Sequence, residues 1–270
     1  IAQILSKWFT AIISIFLIWV LTKYLSAEMY WQYNKIYNYL SIFTFLADLW
    51  LYTISIREIS KNKENASKII ANVMSLRFIL WIAIIFFSLI IAYFLPGYNS
   101  KLMLLNILII WIFSVFSLLN SSVLSLMQSF LKMEFSLFSV VFWKIITFLW
   151  IVLVCLFLYP KQGITNFDIP FTLIMISWLI WIIFNFYLNY FYANKITKIW
   201  YGFDFAYMKY LFKTSLPYWV ALFLSVVYFK VDVILISLIE WWQKADLSIA
   251  FYSLPMKIIE VLMILAWFYL

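Results

Sequence analysis

Charged side chains interrupt several long apolar runs of this chain, and they are the residues most able to do chemistry. They are Asp48, Lys144, Lys230, Asp232, Lys257 and Glu260. A charge surrounded by lipid is costly, so each of these side chains predicts a partner, a water-filled cavity or a pathway for a charged substrate. The chemistry that they suggest is the binding and movement of charged groups.

Two of the lysines are candidates for binding an anion. If helices enclose a cavity, Lys144 and Lys230 would line it and hold an anionic head group, while Asp48 or Asp232 balances the charge or binds a coupling cation. The alternatives are ordinary structural roles. The lysines would extend to the membrane surface, and the aspartates would form hydrogen bonds between helices.

Spacing separates the remaining charged residues. Lys257 and Glu260 are three residues apart and can pair on one helical face, which would neutralise both without any role in transport. Lys230 and Asp232 are two apart and point to different faces, so they need other partners. Arg77, at the start of a predicted helix, suits either an interfacial position or a functional one.

Eight apolar stretches must position these side chains. A membrane crossing needs about 20 apolar residues. The chain is 67% hydrophobic and 11% charged, with a mean hydropathy of +1.03. We therefore predict an all-α polytopic membrane protein. The predicted membrane helices are residues 4–25, 33–56, 75–95, 102–127, 135–159, 169–193, 210–239 and 248–270.

Several functional classes lack their usual residues. The chain has no histidine, no cluster of metal ligands, no glycine-rich phosphate loop and no pair of carboxylates in a long loop, so a cofactor or catalytic site is not predicted. A single cysteine, Cys155, excludes an internal disulfide. The net charge of +8 does not come from a soluble basic module with interleaved aromatic residues, so nucleic acid is not an expected partner.

Basic residues indicate the orientation of the chain. Alternate breaks between the apolar runs hold one set, which consists of Arg57, Lys61, Lys63, Lys68, Arg77, Lys132, Lys195, Lys198 and Lys209. The opposite breaks hold only Lys35, Lys101, Lys161 and Lys244. The positive-inside rule then places the larger set and the N-terminus in the cytoplasm. Within it, residues 57–77 have helical apolar spacing and predict an amphipathic surface helix, with a solvated linker as the alternative.

A short internal repeat suggests two halves. Residues 27–33 (AEMYWQY) and 245–252 (ADLSIAFY) both place an alanine and an acid shortly before a tyrosine at the start of a helix. Helix seven would therefore be the first helix of a second repeat, as helix one is of the first. Such repeated bundles are common in transporters. We predict a first six-helix bundle at 1–205 and the start of a second at 206–270. Twelve or more helices would form the whole protein, of which this chain would be a fragment.

Motifs in both halves carry a family resemblance. They are residues 47–51 (ADLWL), 57–59 (REI), 76–77 (LR), 216–217 (LP), 228–232 (YFKVD), 245–252 and Lys257. Their order and spacing resemble those of polysaccharide flippases in the multidrug/oligosaccharidyl-lipid/polysaccharide superfamily, over nearly all 270 residues. The resemblance implies movement of a polyprenyl-pyrophosphate-linked oligosaccharide across the bacterial inner membrane by alternating access. Membrane lipids, a polysaccharide polymerase and export machinery would be its partners.

Three other functions compete with this interpretation. A multidrug or other lipid exporter of the same superfamily would favour a more acidic or apolar cavity, which the lysines oppose. A membrane glycosyltransferase or polymerase would need catalytic groups at a membrane face, where Asp168 is the only acid in its break. A structural or assembly role in a polysaccharide-export complex is the third.

Tryptophan and glycine occur in unusual numbers. Average glycine usage predicts about 19 glycines in a chain of this length, whereas 3 are present beside 15 tryptophans. The resembling family usually has glycine at the positions of Trp31 and Trp50, and often near those of Trp219 and Trp241. We therefore hypothesise that many tryptophans are glycine in the organism, because a UGA codon reassigned to glycine was read as tryptophan. An interfacial belt of aromatic residues is the alternative.

Overall fold

The fold consists of long helices joined by short connections. The computed structural model describes residues 2–24, 27–48, 50–94, 98, 101–158, 168–200 and 202–239, together with 248, 249, 251, 252, 255, 256, 258 and 259. Across these ranges every regular element is a helix. The helices are α1 (Ala2–Tyr24), α2 (Ala27–Asp48), α3 (Leu51–Lys61), α4 (Ala66–Phe94), α5 (Lys101–Ser129), α6 (Glu134–Leu158), α7 (Asp168–Ile196) and α8 (Phe205–Ile239).

Membrane-spanning segments dominate these helices. Five are long and apolar enough to cross a bilayer, and a shorter apolar helix covers Trp8–Tyr24. The five segments are Gln32–Lys61, which runs from α2 through α3, Ala66–Phe94, Lys101–Ser129, Glu134–Phe157 and Phe171–Ile196. The prediction of an all-α polytopic membrane protein is thereby confirmed. The predicted eighth span, 248–270, lies mostly outside the described residues, and the division at 205/206 stays a prediction.

The second predicted helix is not continuous. The span predicted over 33–56 matches the membrane-spanning segment Gln32–Lys61, but the segment is interrupted, because α2 ends at Asp48 and α3 begins at Leu51. Between them Trp50 has φ 56° and ψ 23°, in the left-handed region. Hydropathy misses this break because the apolar run continues through it. α3 is itself amphipathic, burying Leu51, Ile54, Ser55 and Ile59.

The predicted surface helix over 57–77 is wrong. Residues 62–65 separate α3 from α4, and the first three turns of α4 are almost wholly buried. Ile69, Ile70, Val73 and Met74 pack into the interior instead of lying on lipid. Helical spacing marks an apolar face correctly but does not say whether that face meets lipid or other helices.

α5 occupies the centre of the packing. It contacts α2, α3, α4 and α7, while α6 packs between α1 and α7. Two clusters of buried residues divide the bundle. One cluster lies around α3, at the end of the bundle that also holds the start of α4, and we call this end the α3 side. The other cluster lies in the opposite half of the bundle.

The connection from α7 to α8 is fixed to the start of α4. Lys68 forms an ion pair of 3.0 Å with Asp204, and the backbone N–H of Asp204 donates to Asn72 at 2.7 Å. Ser75 donates to the carbonyl of Gly202 at 2.8 Å. Gly202 suits this close approach, since a Cβ at its position would lie 3.1 Å from the Cβ of Ala71, which is a tight contact. These contacts with α4 therefore fix the start of α8.

Asp204 is expected to stabilise this junction as the N-cap of α8. Its carboxylate accepts from the backbone N–H of Tyr207, and this bond, followed by Lys68, lowers the carboxyl pKa. Asp204→Ala should lower the melting temperature at neutral pH. The difference from wild type should shrink as the pH falls below about 4, because a carboxyl with a lowered folded pKa loses its contribution on protonation. Thermal unfolding at both pH values is the measurement.

Asp204→Asn is the matched control for this prediction. Asparagine also caps helices well, so most of the stability should remain, with little dependence on pH. Equal melting temperatures for wild type and Asp204→Ala at neutral pH would contradict the prediction.

Candidate functional site: charged groups within the helix bundle

Lys144 lies within the membrane-spanning part of α6. Its ammonium group donates a hydrogen bond of 3.1 Å to the hydroxyl of Ser14 on α1. The indole rings of Trp178 and Trp181 on α7 lie 6.0 and 5.9 Å from the same nitrogen, measured to their centroids. The side chain is therefore half-buried at the place where α6 packs against both α1 and α7.

The Lys144 ammonium has unused capacity for an anion. It carries three N–H donors, and one of them reaches Ser14. Among the described residues, no ion pair involves Lys144. A positive charge in this position attracts anionic oxygens strongly, because the neighbouring indole rings screen it poorly. The arrangement can hold a negatively charged group.

Asp48 has a different environment, because it pairs with Arg77. The guanidinium Nη2 donates to the carboxylate at 2.5 Å, and Nη1 donates to the carbonyl of Leu118 at 2.9 Å and to Ser122 at 2.5 Å. Arg77 is fully buried, whereas the Asp48 side chain is 23% exposed. The pair joins α2, α4 and α5 directly at the break before α3. This geometry favours a structural role for Asp48 over binding of a coupling cation.

The charged residues of the last third are described only in part. Asp232 on α8 accepts a hydrogen bond of 2.5 Å from the hydroxyl of Tyr252. Lys230 lies in α8, but its side chain is outside the described residues, as are Lys257 and Glu260. The cavity that Lys144 and Lys230 would share, and the Lys257–Glu260 pair, therefore stay predictions.

Lys35 is a buried charge that the sequence analysis missed. The sequence places it at the start of the predicted span 33–56, beside a loop, whereas it lies well inside α2 and is only 4% exposed. Its ammonium lies 4.2 Å from the ring centroid of Tyr98. Buried Asn34 and Asn38 flank it in sequence. These buried asparagines beside a lysine were the available sequence signal for a polar site inside the bundle.

A second missed feature is a row of asparagines between helices. The Asn189 amide donates to Asn120 at 2.9 Å and to Asn185 at 2.6 Å, and Ser139 donates to Asn185 at 3.1 Å. All four are buried, and together they connect α5, α6 and α7. Asparagines four residues apart in an apolar run were the sequence signal. In lipid, such bonds fix helices against one another.

Asn189→Leu is expected to destabilise the contact between α5 and α7. The substitution removes two donated hydrogen bonds and leaves the oxygens of Asn120 and Asn185 buried, so the loss should be about 1 to 2 kcal/mol. Unfolding of purified protein in bicelles measures it. Asn65→Ala, at an exposed position between α3 and α4, is the control and should change little. Equal effects of the two substitutions would contradict the structural role.

An apolar cleft lies between α6 and α7, and two of its lining residues directly precede Lys144 in the sequence. Its volume is about 420 Å³, and its lining consists of Phe142, Trp143, Phe184, Tyr187, Leu188 and Phe191. The Trp143 and Phe184 rings stack inside it at 4.5 Å. Phe142, Tyr187 and Phe191 are each more than half exposed, on surfaces that face lipid in a membrane. The cleft suits a hydrocarbon chain.

Metal binding receives no support within the described ranges. There, no three histidine, cysteine, aspartate or glutamate side chains come close enough to hold an ion.

Comparison with known proteins identifies one family. A family model described as polysaccharide biosynthesis protein matches residues 1–269. No curated protein matches the chain, and no solved structure does.

Proposed function

Because the chain belongs to the polysaccharide biosynthesis protein family, we propose that it is a flippase for a polyprenyl-pyrophosphate-linked oligosaccharide. It would carry this lipid across the bacterial inner membrane for surface polysaccharide biosynthesis. Alternating access requires binding and rocking of helix bundles, with no covalent step and no cofactor. The N-terminus and the α3 side would face the cytoplasm, since most basic residues lie there.

The observation that carries the proposal is the half-buried Lys144. A pyrophosphate needs cationic donors inside the membrane, and this ammonium has donors left for it beyond its bond to Ser14. Arg77 is less suited because Asp48, Leu118 and Ser122 already engage its guanidinium. In a multidrug exporter, the same lysine would repel the cationic compounds that such a protein carries.

The cleft between α6 and α7 gives the lipid tail a place on the same helices. In the proposal, the pyrophosphate occupies the interior near Lys144 while the polyprenyl chain stays outside, along Phe142, Phe184 and Phe191. The charged group then leaves the lipid phase without extraction of the tail. Hydrocarbon kept in the membrane costs nothing, whereas a pyrophosphate in lipid is very unfavourable.

The rigid contacts define what would move as one body. The Asp48–Arg77 pair and the asparagine row connect α2, α4, α5, α6 and α7, so these helices would rock together. Asp232, which bonds to Tyr252, lies beyond them on α8 and would respond to the second bundle. A polysaccharide polymerase and export proteins would act on the lipid after it reaches the outer leaflet.

Depletion of the protein in its own cells tests the proposal. Lipid-linked oligosaccharide should accumulate in the cytoplasmic leaflet, protected from an externally added glycan-specific lectin, while surface polysaccharide falls. Restoring the wild-type gene should reverse both effects, and restoring a Lys144→Ala gene should not. Unchanged surface polysaccharide would contradict the proposal. Failure to make the lipid-linked precursor at all would favour an enzyme instead.

A further inference from the structure

Trp50 has a backbone conformation that suits glycine. Its φ of 56° is positive, and among the described non-glycine residues it shares this property only with Leu131. Left-handed backbone places the Cβ of an L-residue too close to its neighbouring carbonyl, and bulky side chains rarely adopt it. Leu131 lies in the open at 85% exposure. Trp50 instead lies between two packed helices, next to the Asp48–Arg77 pair.

Trp111 is the second unusual tryptophan. It is fully buried in the centre of α5, and its indole N–H has no hydrogen-bond partner within the described part of the chain. Buried tryptophans normally satisfy this donor. Trp178 and Trp181 also lack a partner in the described ranges, but they are only partly buried, whereas Trp111 is fully buried. Trp81 provides the contrast, since its indole donates to Ser114 at 2.9 Å and to the carbonyl of Trp111 at 3.2 Å.

The composition of the chain points to the same explanation for both positions. Three glycines and fifteen tryptophans together come close to the number of glycines that average usage predicts. Transmembrane helices ordinarily use glycine freely, because small residues let helices approach one another. α5 has the most extensive contacts with other helices, which include α2, α3, α4 and α7, so a small residue is useful there.

We propose that UGA codons in this gene are read as glycine, and that positions 50 and 111 are glycine in the protein made by its own cell. At position 50, glycine adopts the left-handed turn without strain and lets α2 end where Asp48 meets Arg77. At position 111, glycine removes the unsatisfied indole donor and lets α5 pack closely. Codons that read UGG, including the one expected at Trp81, still encode tryptophan.

Peptide mass spectrometry of the protein purified from its native cells is the test, with the gene sequenced at the same positions. We expect UGA codons and glycine masses at positions 50 and 111, and a UGG codon with a tryptophan mass at 81. Tryptophan at position 50 or 111 would overturn the proposal. The result does not depend on whether any variant folds, or on what the protein transports.

A matched pair of variants gives a second test in a host that reads UGA as tryptophan. Trp50→Gly should raise the thermal midpoint by about 4 °C relative to the literal sequence, because it relieves the left-handed backbone. Trp50→Ala removes the same indole but keeps a Cβ, so it should give no such rise. A lower midpoint for Trp50→Gly than for Trp50→Ala would contradict the glycine assignment at this position.

Discussion

Replacement of Arg77 by alanine is expected to destabilise the protein by about 3 to 5 kcal/mol. The substitution leaves the Asp48 carboxylate without its cation and removes the bonds to Leu118 and Ser122 that connect α4 to α5. An unpaired charge at this depth is costly, so most of the variant should fail to accumulate in membranes. Denaturant unfolding of purified protein measures the loss.

Two variants control this prediction. Arg57→Ala removes an arginine that pairs with its neighbour Glu58 at the surface, with 37% of its side chain exposed, and should change stability by less than about 1 kcal/mol. The double variant Asp48→Leu, Arg77→Met removes both charges together and should recover much of the stability lost in Arg77→Ala. Equal stability of Arg77→Ala and Arg57→Ala would contradict the role of the buried pair.

Loss of Lys144, alone or together with Lys230, is expected to slow transport strongly without affecting insertion. A charge-assisted hydrogen bond to an anion contributes about 1.5 to 3 kcal/mol, so Lys144→Ala should reduce translocation roughly 10- to 100-fold. Lys144→Ala, Lys230→Ala should reduce it further. The rate at which a labelled lipid-linked oligosaccharide changes leaflet is the measurement.

Lys132→Ala is the matched control for the lysines. Lys132 is exposed between α5 and α6 and should be replaceable without loss of rate. Lys144→Arg retains the charge and should keep more activity than Lys144→Ala. Full activity of the double lysine variant, at normal abundance, would rule out the cationic cavity.

The fold class could be predicted from the sequence because lipid imposes a simple rule. Backbone groups in a bilayer must bond within their own segment, so long apolar runs become helices. The break at Trp50 could not be predicted in this way, since the residues on both sides are apolar. The burial of residues 66–77 could not be predicted either, because helical spacing looks alike whether a face meets lipid or protein.

The candidate site was predicted unevenly. Lys144 was recognised because a charge in an apolar run is expensive in lipid, and the structure places its ammonium between three helices. Asp48 was recognised, but its partner Arg77 was left open because 29 residues separate them. Lys35 was missed because it lies near the end of a predicted span, where charge is ordinary. Pairings across helices depend on tertiary packing that no local pattern contains.

Reconstitution of the full chain into liposomes tests the central claim most directly. A fluorescent polyprenyl-pyrophosphate-linked oligosaccharide would be placed in both leaflets, and its accessibility to an external quencher or glycosidase would be followed over time. The flippase account predicts that the protein moves this lipid between leaflets, while an uncharged polyprenyl glycoside of the same sugar moves much more slowly. Equal rates with and without the protein, or equal rates for both lipids, would contradict it.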